Sequence, residues 1–191
     1  MLNSLIGIIA SSGGVAASTT AYDSIATATV GSGGASTITF SSIPQTYTHL
    51  QVRSIARENT GAGTSINDLL VRFNSDSGAN YRYHYIRGNG TAASAGTAGS
   101  QTYAWALGTS QAGSTASVFT GNVLDILDYT NTNKYTTTRS LSGTDFNGSG
   151  ILDFISNLWL NTAAITSITI TTGGNNFAQY SSFALYGIKG A

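Results

Sequence analysis

The chain contains no cysteine, one proline, one methionine and two histidines in 191 residues. Without cysteine it can build no disulfide, thiolate nucleophile or cysteine-ligated zinc site. The absence fits folding in a reducing cytoplasm. Charge is equally scarce. Charged residues make up 8% of the chain, against about 25% in an average globular domain. Eight acidic residues balance eight basic ones. A nucleic-acid binder or an anionic-surface binder would carry a basic excess, so neither partner is expected. No apolar run is long enough to span a bilayer, so no membrane partner is expected either. Helix signals are nearly missing: no stretch of ten or more residues keeps an apolar 3.6 period free of Gly and β-branched runs.

What fills the chain is Ser, Thr, Asn, Gln and Gly around a 41% apolar fraction. Thr has high β-propensity and little side-chain entropy to lose, so it suits a rigid, uncharged β surface. Zero net charge protects weakly against self-association, which favours a subunit made to assemble. From Tyr22 onwards, short alternating runs stand between Gly, Asn and Ser clusters. Ile38 and Phe40, Leu50 and Val52, Leu69, Val71 and Phe73, Ile168 and Ile170, and Phe183 and Leu185 each alternate with polar or small residues. That is the period of a strand with one buried face. Further strands are predicted near 22–30, 81–87, 101–107, 117–129, 135–142 and 151–160. Some ten or eleven strands at this spacing predict an all-β antiparallel sandwich or jelly roll. The Gly/Ala/Ser/Thr-rich stretch 88–100 reads as an exposed, mobile loop. Pro44 sets a turn between two strands.

Residues 1–21 read as an N-terminal arm and connector, and 22–191 as the β-sandwich domain. The segment from Leu2 to Ile9 is apolar but lacks the basic flank of a signal peptide. We read Leu2, Leu5, Ile6, Ile8 and Ile9 as side chains that dock on a neighbouring subunit; packing on the arm's own domain is the alternative. Ala10–Thr20 is small, polar and uncharged, as a flexible connector would be.

Reactive groups are thin on the ground. His49 and His84 have no Gly-x-Ser-x-Gly elbow to serve, and we expect them at a surface or an interface. Asp125 and Asp128 lie three apart in a predicted strand and so point to opposite faces, unlike the paired carboxylates of a glycosidase. Asn74-Ser75-Asp76-Ser77-Gly78-Ala79-Asn80 has alternating oxygens and a Gly, yet lacks the second Asp and the bidentate Glu of a calcium loop. An Asx-stabilised connection is the expected reading. No catalytic residue, metal or cofactor is therefore expected. Arg53, Arg57, Arg72, Arg82 and Arg87 cluster in the sequence. Arg53 and Arg57 share a face by parity. A cross-strand ladder with Glu58, Asp68 and Asp76 is one reading; contact with a partner subunit is the other. Tyr81, Tyr83 and Tyr85 project from one face, either into packing or as a stripe for glycan or subunit contact. Trp105 and Trp159 read as buried anchors.

Three blocks carry a resemblance. They are Ile38–Arg53 (ITFSSIPQTYTHLQVR), Phe73–Tyr81 (FNSDSGANY) and Ser181–Gly190 (SSFALYGIKG). Each resembles segments of tailed-bacteriophage virion structural proteins, a group that includes capsid decoration proteins and tail-fibre modules. The resemblance carries no catalytic residues. It implies a jelly-roll-like sandwich, trimeric, on a virus particle and made in the host cytoplasm. The expected role is a capsid cement protein that bridges major capsid subunits. The alternative is a receptor-binding tip or fibre module that recognises host-surface glycans.

Overall fold

The computed structural model describes residues 21–190. The arm residues Leu2, Leu5, Ile6, Ile8 and Ile9 lie outside them. Twelve strands form two antiparallel sheets that pack as a sandwich: β1 (Tyr22–Thr29), β2 (Thr37–Phe40), β3 (His49–Ala56), β4 (Ile66–Phe73), β5 (Tyr81–Gly88), β6 (Ala93–Gln101), β7 (Ala104–Ser110), β8 (Thr120–Ile126), β9 (Thr136–Asp145), β10 (Gly150–Trp159), β11 (Ile168–Thr172) and β12 (Ser182–Ile188). The larger sheet runs β1-β12-β3-β8-β9-β10-β5-β6, and the smaller β2-β11-β4-β7. The chain passes back and forth between the sheets, β1 to β2 to β3 to β4 and again β7 to β8, then β11 to β12. That winding is compatible with a jelly roll into which two strand pairs, β5–β6 and β9–β10, have been inserted. Both pairs join the larger sheet and widen it to eight strands.

The alternations anticipated in the sequence fall where period two puts them. Leu50 and Val52 of β3, Leu124 and Ile126 of β8, and Phe183 and Leu185 of β12 point inward, against Ile38 and Phe40, Leu69, Val71 and Phe73, and Ile168 and Ile170 of the smaller sheet. Phe73, Tyr81 and Trp159 close one end as a three-ring cluster with centroids 5.5–6.4 Å apart. Tyr129 donates its hydroxyl to the Pro44 carbonyl and ties the β2–β3 turn to the far side of the core. The buried core draws on residues from Val30 to Leu185.

One expectation is overturned. Residues 93–101 are not a loop but strand β6, paired with β5 from Gly88↔Ala93 to Tyr81↔Gln101. The turn between them is built by Asn89, whose Oδ1 accepts from the Thr91 and Ala92 N–H groups, with Gly90 at positive φ. The predicted strand at 117–129 is also shorter than expected. It ends at Ile126, and Asp128 sits in a turn at φ 49°.

Candidate functional site

Strands β9 and β10 depart from the usual polarity of a sheet. In β9 every inward side chain is a hydroxyl: Thr136, Thr138, Ser140, Ser142 and Thr144, all buried. In β10 the inner face carries Asp153 and Asn157 beside Ile155 and Trp159. The outer face of the same two strands carries Leu141, Leu152, Phe154 and Leu158. A half-buried strand ordinarily places its apolar side chains inward. Here the water-facing side is the apolar one.

The registers assemble these outward residues into rows that run across the sheet. One row reads Ala95–Ile86–Phe154–Leu141–Val123–Arg53–Ala184 from β6 to β12. The next reads Gly88–Leu152–Gly143–Gly121–Ile55–Ser182. Ile86 is 60% exposed, Leu152 58%, Ile55 54%, Phe154 50% and Leu141 49%. Together they present on the order of 500 Å² of apolar surface, the size of the largest patch on a monomeric protein, which is often a functional one. The second row has a glycine floor. A Cβ on Gly121 would meet nothing within 4 Å, and one on Gly143 would meet only Leu152. Between Leu152 and Ile55 the face therefore holds a hollow two strands wide. It continues into a shallow trough of about 700 Å³ beside Thr27, Arg53, Ile55, Gly121 and Val123.

A polar row borders the patch: Thr97–His84–Ser156–Arg139–Asp125–Gln51–Tyr186. Its charges are paired within the row. Asp125 accepts from Gln51 Nε2 at 2.7 Å and from Arg139 Nε at 3.2 Å. Arg53 donates to Gln51 Oε1 at 2.6 Å and lies over the Tyr22 and Tyr186 rings, 5.4 and 5.3 Å from their centroids. The row is thus a pre-arranged polar rim.

On the inner side of the same sheet an ion pair joins neighbouring strands β5 and β10. Arg87 clasps Asp153 through two bonds of 2.6 and 2.8 Å, and Asp153 is almost fully buried. The carboxylate hydrogen bond raises the Arg87 guanidinium above its ordinary pKa. Burial pushes the nearby Asp68 carboxyl up. Trp105 packs edge-on against Tyr83 and Tyr85 at 5.1 and 4.9 Å, with Arg87 over its ring at 5.3 Å.

The other sequence candidates fall as follows. Arg53 joins the outer face. Arg57 does not: its guanidinium donates five hydrogen bonds into the 112–118 loop, to Ser114 Oγ and to the carbonyls of Ala112, Ser114, Thr115 and Val118. It positions a loop. The ladder of arginines with Glu58, Asp68 and Asp76 is replaced by other hydrogen bonds. Arg72 bonds the Thr102 carbonyl, Arg82 those of Ala79 and Tyr81, and Arg87 clasps Asp153. Glu58 is buried and accepts from the Asn67 and Asn175 amides at 2.9 and 2.8 Å; burial pushes its pKa up. Tyr81 is fully buried, and desolvation pushes its hydroxyl up to about 12. Tyr83 and Tyr85 are half-buried on Trp105, so the three tyrosines line the interior side of β5. Trp105 and Trp159 are both buried.

His84 is exposed in the polar row, whereas His49 accepts the Asp128 N–H through Nδ1 at 2.9 Å. Asp125 lies on the outer face. Asp128, beyond the strand end, pairs with Lys134, which holds its carboxyl below the ordinary value. In the 74–80 loop Asp76 accepts from Gly78 N–H, the Asn80 amide and the Trp159 indole N–H at 2.7–3.2 Å. Its oxygens serve protein donors. Among the described residues no group of three or more His, Cys, Asp or Glu side chains is placed to hold a metal ion.

Ile55, Ile86, Val123, Leu141, Leu152 and Phe154 escaped the sequence reading. For Leu141 the one available signal is the Thr/Ser alternation through 136–144; the others are brought together only by the strand registers. No protein-family model, curated protein or solved structure matches this chain.

Proposed function

We propose that the chain is a non-catalytic structural subunit that works by docking the outer face of its larger sheet on other protein. One observation carries the reading: β9 buries a row of hydroxyls, and β9, β10 and β5 expose Leu141, Leu152, Phe154 and Ile86 on the outer face. Sequences break local rules of polarity where function asks for it. A face left bare in water is destabilising and invites association, so its use is to be covered. The patch alone offers on the order of 500 Å², less than the roughly 800 Å² per partner of a standard stable interface. The polar rim of Arg53, Asp125, Arg139 and Tyr186 makes up the remainder. Its fixed hydrogen bonds suit the rim of an interface, which is polar and accessible around an apolar centre.

The setting follows from the resemblance to tailed-phage virion proteins. The role we infer is capsid cement, where added contacts hold neighbouring shell subunits together. The receptor-tip alternative keeps the uncharged Ser/Thr surface in its favour. Its aromatic stripe is weakened, because Tyr81 is buried and Tyr83 and Tyr85 are half-buried against Trp105. The test is a count of this protein in purified particles, followed by stripping it from them. Cement predicts hundreds of copies and capsids that burst at lower temperature once stripped, with adsorption to cells unchanged. Absence from particles, or a few copies whose loss abolishes adsorption, would overturn the reading.

A further inference from the structure

The apolar face needs an occupant, and the chain holds one of matching chemistry outside the described residues. Leu2, Leu5, Ile6, Ile8 and Ile9 are five large aliphatic side chains in eight residues, with no charge among them. The face offers aliphatic walls, Ile55, Leu141, Leu152 and Ile86, around the glycine floor of Gly143 and Gly121. Side chains the size of Leu or Ile fill such a hollow, whereas a charged segment would lose its hydration there.

Length decides whose face is reached. The connector Ala10–Thr20 has 11 residues. As a Gly/Ser-rich coil it spans about 18 Å on average, and about 38 Å when pulled taut. It enters β1 at Tyr22, on the edge of the larger sheet. From there the patch on β9 and β10 lies four to five strands across, about 19–24 Å, and four to six residues along, about 13–20 Å. The diagonal is about 23–31 Å, so docking on its own face would hold the connector stretched beyond its average span. A neighbouring copy can bring its patch nearer.

We propose that the Leu2–Ile9 segment of one copy docks on the outer sheet face of a second copy, seating aliphatic side chains over Gly121 and Gly143. This rests on the reading of the face as a docking surface and names its partner as this same chain.

Sedimentation of purified protein tests it without any particle, so the outcome is separate from the copy count above. Two full-length variants are needed. Ile6→Asp/Ile8→Asp spoils the arm and keeps the face. Leu141→Asp/Phe154→Asp spoils the face and keeps the arm; both side chains are about half exposed, and circular dichroism checks that the sheet is intact. The unmodified chain should self-associate. Each variant alone should associate about 30-fold or more weakly. An equimolar mixture of the two should recover association as a one-to-one pair, because one supplies an arm and the other a face. A monomeric unmodified chain would overturn the proposal. So would an arm variant that associates as well as the parent, since face would then be meeting face, or a mixture that stays monomeric.

Discussion

Asp76 shows how one carboxylate can organise a loop without binding a metal. It accepts from the loop's own Gly78 and Asn80 and from Trp159. Burial works against its ionised form, but the hydrogen bonds from Asn80, Trp159 and Gly78 outweigh it and hold the carboxyl below its ordinary value. A lowered folded-state pKa means stability that is present above the unfolded value of about 3.9 and lost as pH falls through the folded one. Asp76→Asn should therefore cost about 1.5–3 kcal/mol at neutral pH. Its melting temperature should also fall less steeply than the parent's between about pH 4.5 and 2.5. Thermal melts across that range check both. Glu58 has the opposite sign. Its pKa is raised by burial, so its contribution is complete below the unfolded value of about 4.3 and is lost as pH rises through the folded one. The parent should gain more stability than Glu58→Gln on acidification from neutral pH toward pH 5. The Arg87–Asp153 pair gives a third residue-scale test. Arg87→Met strands an almost fully buried carboxylate and should cost about 3–5 kcal/mol in chemical denaturation. Arg87→Met with Asp153→Leu should recover much of that loss.

At the scale of elements, most strands were legible because their alternation is clean. In β2, β3, β4, β11 and β12 most of the alternate, inward positions are apolar and buried. β6 was not legible. Ala93–Gln101 holds no large apolar residue, so no period shows, and only pairing with β5 makes it a strand. β9 and β10 were placed correctly, but their facing was hidden. Parity alone does not say which side of Leu141, Leu152 and Phe154 meets water. On the inner side β7 meets polar groups of β8, where Ser110 Oγ bonds Thr120 Oγ1 at 3.0 Å and Asn122 Oδ1 accepts the Gly108 N–H at 3.3 Å, and Thr144 of β9 in turn bonds the Thr120 hydroxyl. Two glycines in the larger sheet separate packing from docking. A Cβ on Gly187 of β12 would lie 2.3 Å from the Tyr47 ring, whereas one on Gly121 of β8 enters open space. Gly187→Ala should destabilise by about 1–3 kcal/mol. Gly121→Ala should be neutral or stabilising by up to about 1 kcal/mol, since Gly is the poorer strand former. A bulky Gly121→Leu should leave the melting temperature near the parent's and yet weaken association, because it fills the hollow. Melts and sedimentation on the same preparations separate the two effects.

For the whole molecule, the larger sheet has two faces with different work. Its inner face meets the smaller sheet around the core, and its outer face exposes Ile86 of β5, Leu152 and Phe154 of β10, Leu141 of β9 and Ile55 of β3. Charge and composition lead us to expect a role through surface, and the place of the apolar face needs the registers. The most direct test uses a feature the sequence provides, the absence of any cysteine. Leu152→Cys places one thiol on the apolar face, and Thr39→Cys places one on the exposed side of β2 as a reference. The rate of maleimide labelling is measured for each variant at a concentration where the protein is assembled, and again after dilution. The thiol of the Leu152→Cys variant should be labelled at least about ten times more slowly than the reference thiol when assembled, and should match it when dilute. Equal, rapid labelling of both variants under assembly conditions would contradict the claim that this face is where the protein makes its contacts.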